Sequence, residues 1–357
     1  GYVGLAIADA AASAGHKVIG FDSNIKLIAN LTQGLSHIED VSVVKLKELI
    51  TSKQYTPTSD SEDLGNCEII IIAVPTPLDK ERNPDLTMLK SACELISSVI
   101  FDGSLVINES TSYIGTLNNL IKPTITSITG LANLDFAVAP ERIDPGNKKW
   151  DLKSTPRLLA GINERSTKRA IDFYSRFSDH IHPLSSPEVA EAAKLFENSF
   201  RQVNIALVNE LAQISHALGI DVRETLDAAG TKPYGFMAFR PGVGVGGHCI
   251  PVDPLYLTWW ARQNGKKAIF VETAALINQK MPEYVAQRAF ELVDKSITTP
   301  RILILGVAYK PGTSDVRESP VSVLRDYLVA FGAEVAWHDP LVPVWEGSKP
   351  VDLGWDC

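Results

Sequence analysis

Cys249 stands near the end of the segment Arg240-Pro-Gly-Val-Gly-Val-Gly-Gly-His-Cys-Ile-Pro-Val-Asp-Pro254, in which Gly242, Gly244, Gly246 and Gly247 crowd into six positions. Glycine loses more backbone freedom on folding than any other residue, so such density points to a loop that must approach a ligand closely rather than to a plain turn. A thiol just ahead of a helix start, expected here at Asp253, is placed to ionise and attack a carbonyl carbon. The competing reading of any lone cysteine is a small buried hydrophobe. Lys194 and Asn198, four residues apart, share one helix face. A cation and an amide donor converging on one oxygen can hold an alkoxide or oxyanion; the competing reading is a solvated face. Phe196, Phe200, Val203, Ala206 and Leu207 around them argue for a largely buried helix, where a lysine needs a purpose.

A second chemistry lies at the amino end. Gly1-Tyr2-Val3-Gly4 opens a small, apolar helix to about Ala14, ended by Gly15, and Lys17–Asp22 is a strand closing on an acid. This is the back half of a dinucleotide-binding βαβ unit: glycines let the backbone approach a pyrophosphate, and the helix N-terminus supplies free N–H groups. Asp22, 18 residues after Gly4, can accept bonds from an adenosine ribose, which favours NAD over NADP. The competing reading is a tight strand–helix turn. The first strand and first glycine of the fingerprint are missing, so the chain is expected to begin inside the motif.

These residues need a frame. The apolar runs Cys67–Val74 (stopped by Pro75-Thr76-Pro77), Leu105–Asn108, Asp135–Ala139 and Leu158–Gly161 predict successive parallel strands. Polar groups follow them at Glu109–Gly115 and Pro140-Glu141-Arg142, at the carboxyl ends where open α/β sheets place ligands. A long helix is expected from Pro187 to about Leu218, capped by Gly219, followed by helices over 222–229, 253–264 and 268–293. A long central helix serves either as an oligomer interface or as a buried spine. A strand at 301–306, a helix at 319–331 and a strand at 334–337 restore the α/β pattern, and Gly15…Asp22 and Gly332…Asp339 share Gly-x-x-Val-x-x-x-Asp. The expected fold class is α/β, with two Rossmann-like domains (1–184 and 294–357) flanking a central helical dimerisation domain (185–293). The last stops at Cys357 after barely two strands, so both termini are expected to be truncated.

Length and composition agree. The 357 residues are too many for one ordinary core, and 45% apolar with 21% charged residues is usual for a globular protein. A net charge of −8 argues against a nucleic-acid partner. No run approaches a membrane span, so no membrane partner is expected. Cys67, Cys93, Cys249 and Cys357 are scattered, without metal-ligand or disulfide spacing, which fits a reducing cytoplasm and no metal.

Several segments together resemble the UDP-glucose/UDP-N-acetylhexosamine 6-dehydrogenase family: Gly-Tyr-Val-Gly-Leu at 1–5, Val-Pro-Thr-Pro at 74–77, Glu-Ser-Thr at 109–111, Ala-Pro-Glu-Arg at 139–142 and Lys-x-x-x-Asn at 194–198. They continue with Gly-Val-Gly-Gly-His-Cys-Ile-Pro-Val-Asp-Pro at 244–254 and Gly-Val-Ala-Tyr-Lys-Pro-Gly-Thr-Ser-Asp-Val-Arg-Glu-Ser-Pro at 306–320. The resemblance implies an NAD-dependent, four-electron oxidation of a sugar CH2OH to a carboxylate, through an aldehyde, a thiohemiacetal and a thioester on Cys249. It implies that Lys194 and Asn198 hold the C6 oxygen, that Asp253 and Thr111 position or activate a water, and that Glu141 assists hydrolysis. Implied cofactor contacts are Gly1, Tyr2, Val3, Gly4, Asp22, Lys26, Thr76, Thr111 and Arg317. Implied UDP-sugar contacts are Glu141, Arg142, Lys194, Asn198, Arg240, Gly242, Gly244, Gly246 and Lys310. A homodimer built on the central helices is implied as well.

Members acting on UDP-glucose often carry a lysine directly ahead of the aspartate, where this chain has Val252. Together with Glu-Asn-Ser-Phe-Arg201 and Gly-Thr-Lys-Pro-Tyr-Gly235, this resembles the branch acting on N-acetylhexosamines, UDP-N-acetylglucosamine first and UDP-N-acetylmannosamine next. Such enzymes usually feed surface-polysaccharide synthesis. The rivals are a UDP-glucose 6-dehydrogenase, a two-electron 3-hydroxyacid dehydrogenase, which would use no catalytic cysteine, and a non-catalytic nucleotide-sugar-binding protein.

Overall fold

A computed structural model describes residues 1–38, 41–144, 147 and 149–355; Cys357 lies outside them. The chain forms two compact units, Gly1–Leu195 and Phe196–Cys357.

The first unit opens with helix α1 (Tyr2–Ser13) and strand β1 (Val18–Phe21), joined through Gly15, whose φ of +91° a residue with a Cβ would resist. Helices α2 (Ile25–Thr32) and α3 (Val43–Thr51) lead to β2 (Tyr55–Thr58), which pairs parallel with β1. A five-stranded sheet then runs in the order β3 (Ile69–Ile72), β4 (Leu105–Asn108), β5 (Asp135–Val138), β6 (Arg157–Gly161) and β7 (Ile181–Pro183). Helices α4 (Thr87–Val99), α5 (Lys122–Thr129) and α6 (Glu164–Tyr174) connect its strands. Successive strand residues point to opposite faces. Ile70, Ile72, Val106, Phe136 and Val138 pack with α4 and α5, whereas Leu105, Ile107, Ala137 and Leu159 pack with α6 and Ala11 of α1. Both faces are covered, which is why these strands are continuous apolar runs.

The sheet corrects one expectation. β3, β4 and β5 are parallel, but β6 runs antiparallel to β5, pairing Ala137 with Gly161 and Val138 with Ala160. A run that is apolar on both faces looks the same in either direction, so its sense is not legible in the sequence. Gly161 is required there: a Cβ would sit 2.4 Å from the Thr167 backbone nitrogen.

Helix α7 (Pro187–Ala217) spans 31 residues, or about 46 Å. Its second part belongs to the second unit, with α8 (Val222–Gly230), α9 (Asp253–Gln263), α10 (Ile269–Leu292), β8 (Arg301–Leu305), α11 (Val321–Ala330) and β9 (Glu334–His338). β8 and β9 pair parallel, and Ile304, Val321, Leu324, Leu328, Trp337 and Trp345 pack with Ala286 of α10 into one core. The α/β architecture with a helical middle follows the expectation.

The burial of α7 does not. Phe196, Phe200 and Leu207 are exposed, at 67, 42 and 59% of their surface, whereas Asn198, Ser199, Gln202 and Asn209 are buried. Leu195, Ala206 and Val208 are buried as well, so the inward side mixes apolar with amide and hydroxyl side chains, while several large apolar residues face outward. Among the described residues, no helix is long and apolar enough to cross a membrane.

Candidate active site

In the first unit, Gly1 caps the N-terminus of α1, and a Cβ on Gly4 would meet the Ala73 side chain at 3.7 Å, so this helix lies close against the chain after β3. Asp22 follows β1, and its carboxylate lies 2.8 Å from the Gly1 amino group while accepting the Asn24 N–H at 3.0 Å. Lys26 is exposed in the first turn of α2, which Asn24 caps by accepting the Leu27 N–H. Glycines at a helix N-terminus with a carboxylate beside them match what a dinucleotide requires: room for the pyrophosphate, free N–H groups, and an acceptor for a ribose diol.

Two loops at the carboxyl ends of β3 and β4 are tied together. The Thr76 hydroxyl donates to the Thr111 carbonyl at 2.6 Å, and the Ser110 hydroxyl both accepts the Val74 N–H and donates to the Val74 carbonyl. Below them lies a buried charge cluster. The Arg157 guanidinium, at the start of β6, reaches Glu109 at 3.2 Å and Glu141 at 3.1 Å, and Tyr174 of α6 donates to Glu109. Glu141 also accepts the backbone N–H groups of Arg142 and Ile143 at 2.6 Å each. Burial pushes Glu109 up to about 8 against the pull of Arg157, and the nearby Glu141 charge adds to the rise. Arg142 donates to the Pro156 carbonyl at 2.6 Å.

Glu191 in the first turns of α7 accepts the N–H groups of Gly115 at 2.5 Å and Leu117 at 3.0 Å, clasping the Glu109–Gly115 loop to the helix that carries Lys194 one turn further on. Burial raises Glu191 to about 7 despite those donors. Lys194 is half-buried.

In the second unit, the Asn198 amide donates to Asp253 at 2.5 Å, joining α7 to the first residue of α9; both side chains are buried. The Cys249 carbonyl accepts the N–H groups of Val252 and Asp253, so Cys249 stands in the turn that leads, three residues on, to the Val252 N-cap of α9, and it is exposed. The other described cysteines differ. Cys93 is a core residue whose thiol burial pushes up to about 12, and Cys67 is partly buried and raised by the same cause.

The glycine loop is anchored rather than free. The Gly242 N–H donates to Asn209 of α7, Asn209 donates to Asn278 of α10, and Asn278 donates to the Gln202 carbonyl. A Cβ on Gly246 would lie 2.8 Å from the Glu318 carbonyl oxygen and 2.8 Å from the Tyr309 side chain. Arg240 pairs with Asp227 on the surface, and Arg317 forms a two-point bridge with Asp315 at 2.8 and 2.6 Å. Lys310, on the same segment as Arg317, is half-buried. His248, beside Cys249, is held below the ordinary imidazole value, first by burial and then by the Arg317 charge.

Glu109 and Arg157, the Glu191 clasp and the Asn209–Asn278 pair were not among the expected site residues. Glu109 stands in the quoted Glu-Ser-Thr segment, which was the available signal; burial of a charge and pairing across 48 residues leave no local pattern. Among the described residues, no group of three or more His, Cys, Asp or Glu is arranged to hold a metal.

Comparison with known proteins agrees with this geometry. Residues 1–178, 188–280 and 303–352 match, in turn, the NAD binding, central and UDP binding domains of the UDP-glucose/GDP-mannose dehydrogenase family. The UDP-N-acetyl-D-glucosamine 6-dehydrogenase of Pseudomonas aeruginosa is 38% identical over 96% of this chain and 81% of its own length. The UDP-N-acetyl-D-mannosamine dehydrogenase of Pyrococcus horikoshii is 36% identical over 96% and 82%. A solved structure of the UDP-D-ManNAc dehydrogenase from Pyrococcus horikoshii superposes with a TM-score of 0.90 at 34% identity, covering 96% of this chain and 82% of that one. The chain therefore belongs to the UDP-glucose/GDP-mannose dehydrogenase family and is an NAD-dependent UDP-sugar dehydrogenase.

Proposed function

We propose that the chain oxidises C6 of a UDP-N-acetylhexosamine, UDP-N-acetylglucosamine before UDP-N-acetylmannosamine, to the uronic acid through a thioester on Cys249. The observation that carries this reading is the setting of Cys249: an exposed cysteine in the turn that leads into α9, whose first residue, Asp253, is bonded to Asn198. Cys67 and Cys93 have no such surroundings. A thioester keeps the aldehyde from escaping and makes its hydrate unnecessary for the second oxidation.

In this reading Gly1, Tyr2, Val3, Gly4, Asp22, Lys26, Thr76, Thr111 and Arg317 hold NAD, which accepts the electron pairs leaving C6. Lys194 and Asn198 stabilise the oxygen on C6 as charge builds there. Cys249 adds to the aldehyde carbon, and its sulfur leaves when the thioester is hydrolysed. Asp253 and Thr111 orient the water, and Glu141 accepts its proton. Arg142, Arg240, Lys310 and the loop through Gly242, Gly244 and Gly246 bind the UDP-sugar. Residues 1–184, 185–293 and 294–357 act as the cofactor, central and UDP-binding parts.

We also propose a homodimer formed through α7. Phe196, Phe200, Leu207, Ile214 and Leu218 are all exposed and recur at helical spacing along one stripe, an apolar surface suited to a second copy of the same helix. Placement in the cytoplasm, where the thiol stays reduced, fits the chemistry. The test is Cys249→Ser in the full chain. Turnover of UDP-N-acetylglucosamine should fall by at least a thousandfold with NAD binding kept; near-normal uronic acid production would refute the covalent route.

A further inference from the structure

The Glu109–Arg157–Glu141–Tyr174 cluster is more than a fold-stabilising ion pair needs. Arg157 is 5% exposed and Glu109 1%, and burying charged groups is costly unless the geometry repays it. The guanidinium spends separate nitrogens on separate carboxyl groups, Nη1 on Glu109 and Nη2 on Glu141, and lies over the Tyr174 ring at 4.5 Å. Among the described residues, the Glu109 Oε2 and Arg157 Nε atoms are buried without a hydrogen-bond partner. We propose that Arg157 and Glu109 are positioning residues for Glu141: the buried guanidinium bridges the two carboxyl groups and fixes the orientation from which Glu141 receives the proton of the hydrolytic water. This rests on the role given above to Glu141.

The step balances. Water oxygen bonds to the thioester carbon, its proton passes to Glu141, the carbon–sulfur bond breaks, and Cys249 leaves as thiolate while the uronic acid forms. Two ionised carboxylates around one guanidinium would leave a net negative charge in the core. The charged and titratable groups facing Glu109 are Arg157 from β6, Glu141 from the segment after β5, and Tyr174 from α6. Burial favours neutral Glu109, which spares the core a second carboxylate beside the Arg157 guanidinium. As Glu109 ionises near pH 8, its pull on the shared guanidinium strengthens against that of Glu141.

The test compares Glu141→Gln, Arg157→Lys, Glu109→Gln and Tyr174→Phe in the full chain, with UDP-N-acetylglucosamine and NAD. The readouts are intact mass of the covalent adduct on Cys249 during turnover, kcat and KM, and the pH dependence of kcat. A lysine cannot bridge two carboxyl groups as a guanidinium does. Arg157→Lys should therefore accumulate adduct and lower kcat about tenfold while KM changes less than twofold. Glu109→Gln, which cannot ionise, should lose the fall in kcat above about pH 8, and Tyr174→Phe should shift that fall. If Glu141→Gln accumulates adduct but Arg157→Lys hydrolyses it at the normal rate, the positioning inference is overturned and the role of Glu141 stands. If Glu141→Gln itself accumulates none, the role of Glu141 fails first. Should Arg157→Lys not fold, an alkaline fall that persists unchanged in Glu109→Gln overturns the inference by itself.

Discussion

Replacing Asn198 with alanine removes the donor that reaches Asp253 at 2.5 Å, where the two side chains are only 9 and 4% exposed. A hydrogen bond to a charged group contributes about 1.5–3 kcal/mol, and a buried acceptor left short of a donor costs a similar amount. Asp253 has other interactions, so the expected loss is about 2 kcal/mol rather than the sum. Urea unfolding followed by tryptophan fluorescence reads this directly, because Trp259, Trp260, Trp337, Trp345 and Trp355 lie in the second unit and Trp150 alone in the first. A double-mutant cycle with Asp253→Asn should give a coupling of about 1–2 kcal/mol. In the proposed role of Asn198 the same variant would also lose a donor to the C6 oxygen, so kcat should fall about 100-fold, the usual cost of one such donor. A stability loss under about 0.5 kcal/mol with no coupling would refute the claim that this pair joins α7 firmly to the start of α9.

Other consequences are equally concrete. Gly246→Ala forces a Cβ to within 2.8 Å of a backbone oxygen and of the Tyr309 side chain. It should cost about 1–3 kcal/mol by thermal denaturation, and calorimetry should show UDP-sugar affinity falling about tenfold with NAD affinity unchanged. The pH dependence of stability has a defined sign. Glu109 and Glu191 have folded-state values raised to about 8 and about 7, so each contribution is complete below the ordinary carboxylate value and is lost as pH rises through the raised one. The lowered carboxyls, such as Asp135 and Asp339, change stability only in acid, and His16, His37 and His248 act below about pH 6.5. Between about pH 6.5 and 8, urea titrations should therefore show falling stability that levels off above, with a shallower fall in Glu109→Gln; equal slopes would contradict the assignment of a buried neutral carboxyl.

Much of the frame was legible from local pattern. β4 was expected at Leu105–Asn108 and lies there, and α8, α9 and α10 were located to within a residue or two. Runs that are apolar on both faces and helices ended by glycine at positive φ are local properties. The reversed direction of β6 was not legible, because strand sense depends on a pairing that leaves no periodicity. Nor was the burial of α7: Phe196 and Leu207 look like core residues but are exposed, whereas Asn198, Gln202 and Asn209 are buried together with Leu195 and Val208. The Gly-x-x-Val-x-x-x-Asp repeat appears in the fold as Gly15 before β1 and Gly332 before β9, both at positive φ. Its two acids have parted in use. Asp22 keeps an accessible carboxylate, whereas Asp339 is buried and accepts the N–H groups of Val307, Ala308 and Leu341, holding the turn after β8. The shared pattern places the two acids alike, and the hydrogen bonds separate them.

The most direct test of the proposed chemistry is a count of reduced cofactor against product. Full-length enzyme given limiting UDP-N-acetylglucosamine and excess NAD should form two NADH for each UDP-sugar consumed, with the uronic acid as the only sugar product. One NADH per sugar, with aldehyde released, would contradict the thioester route through Cys249.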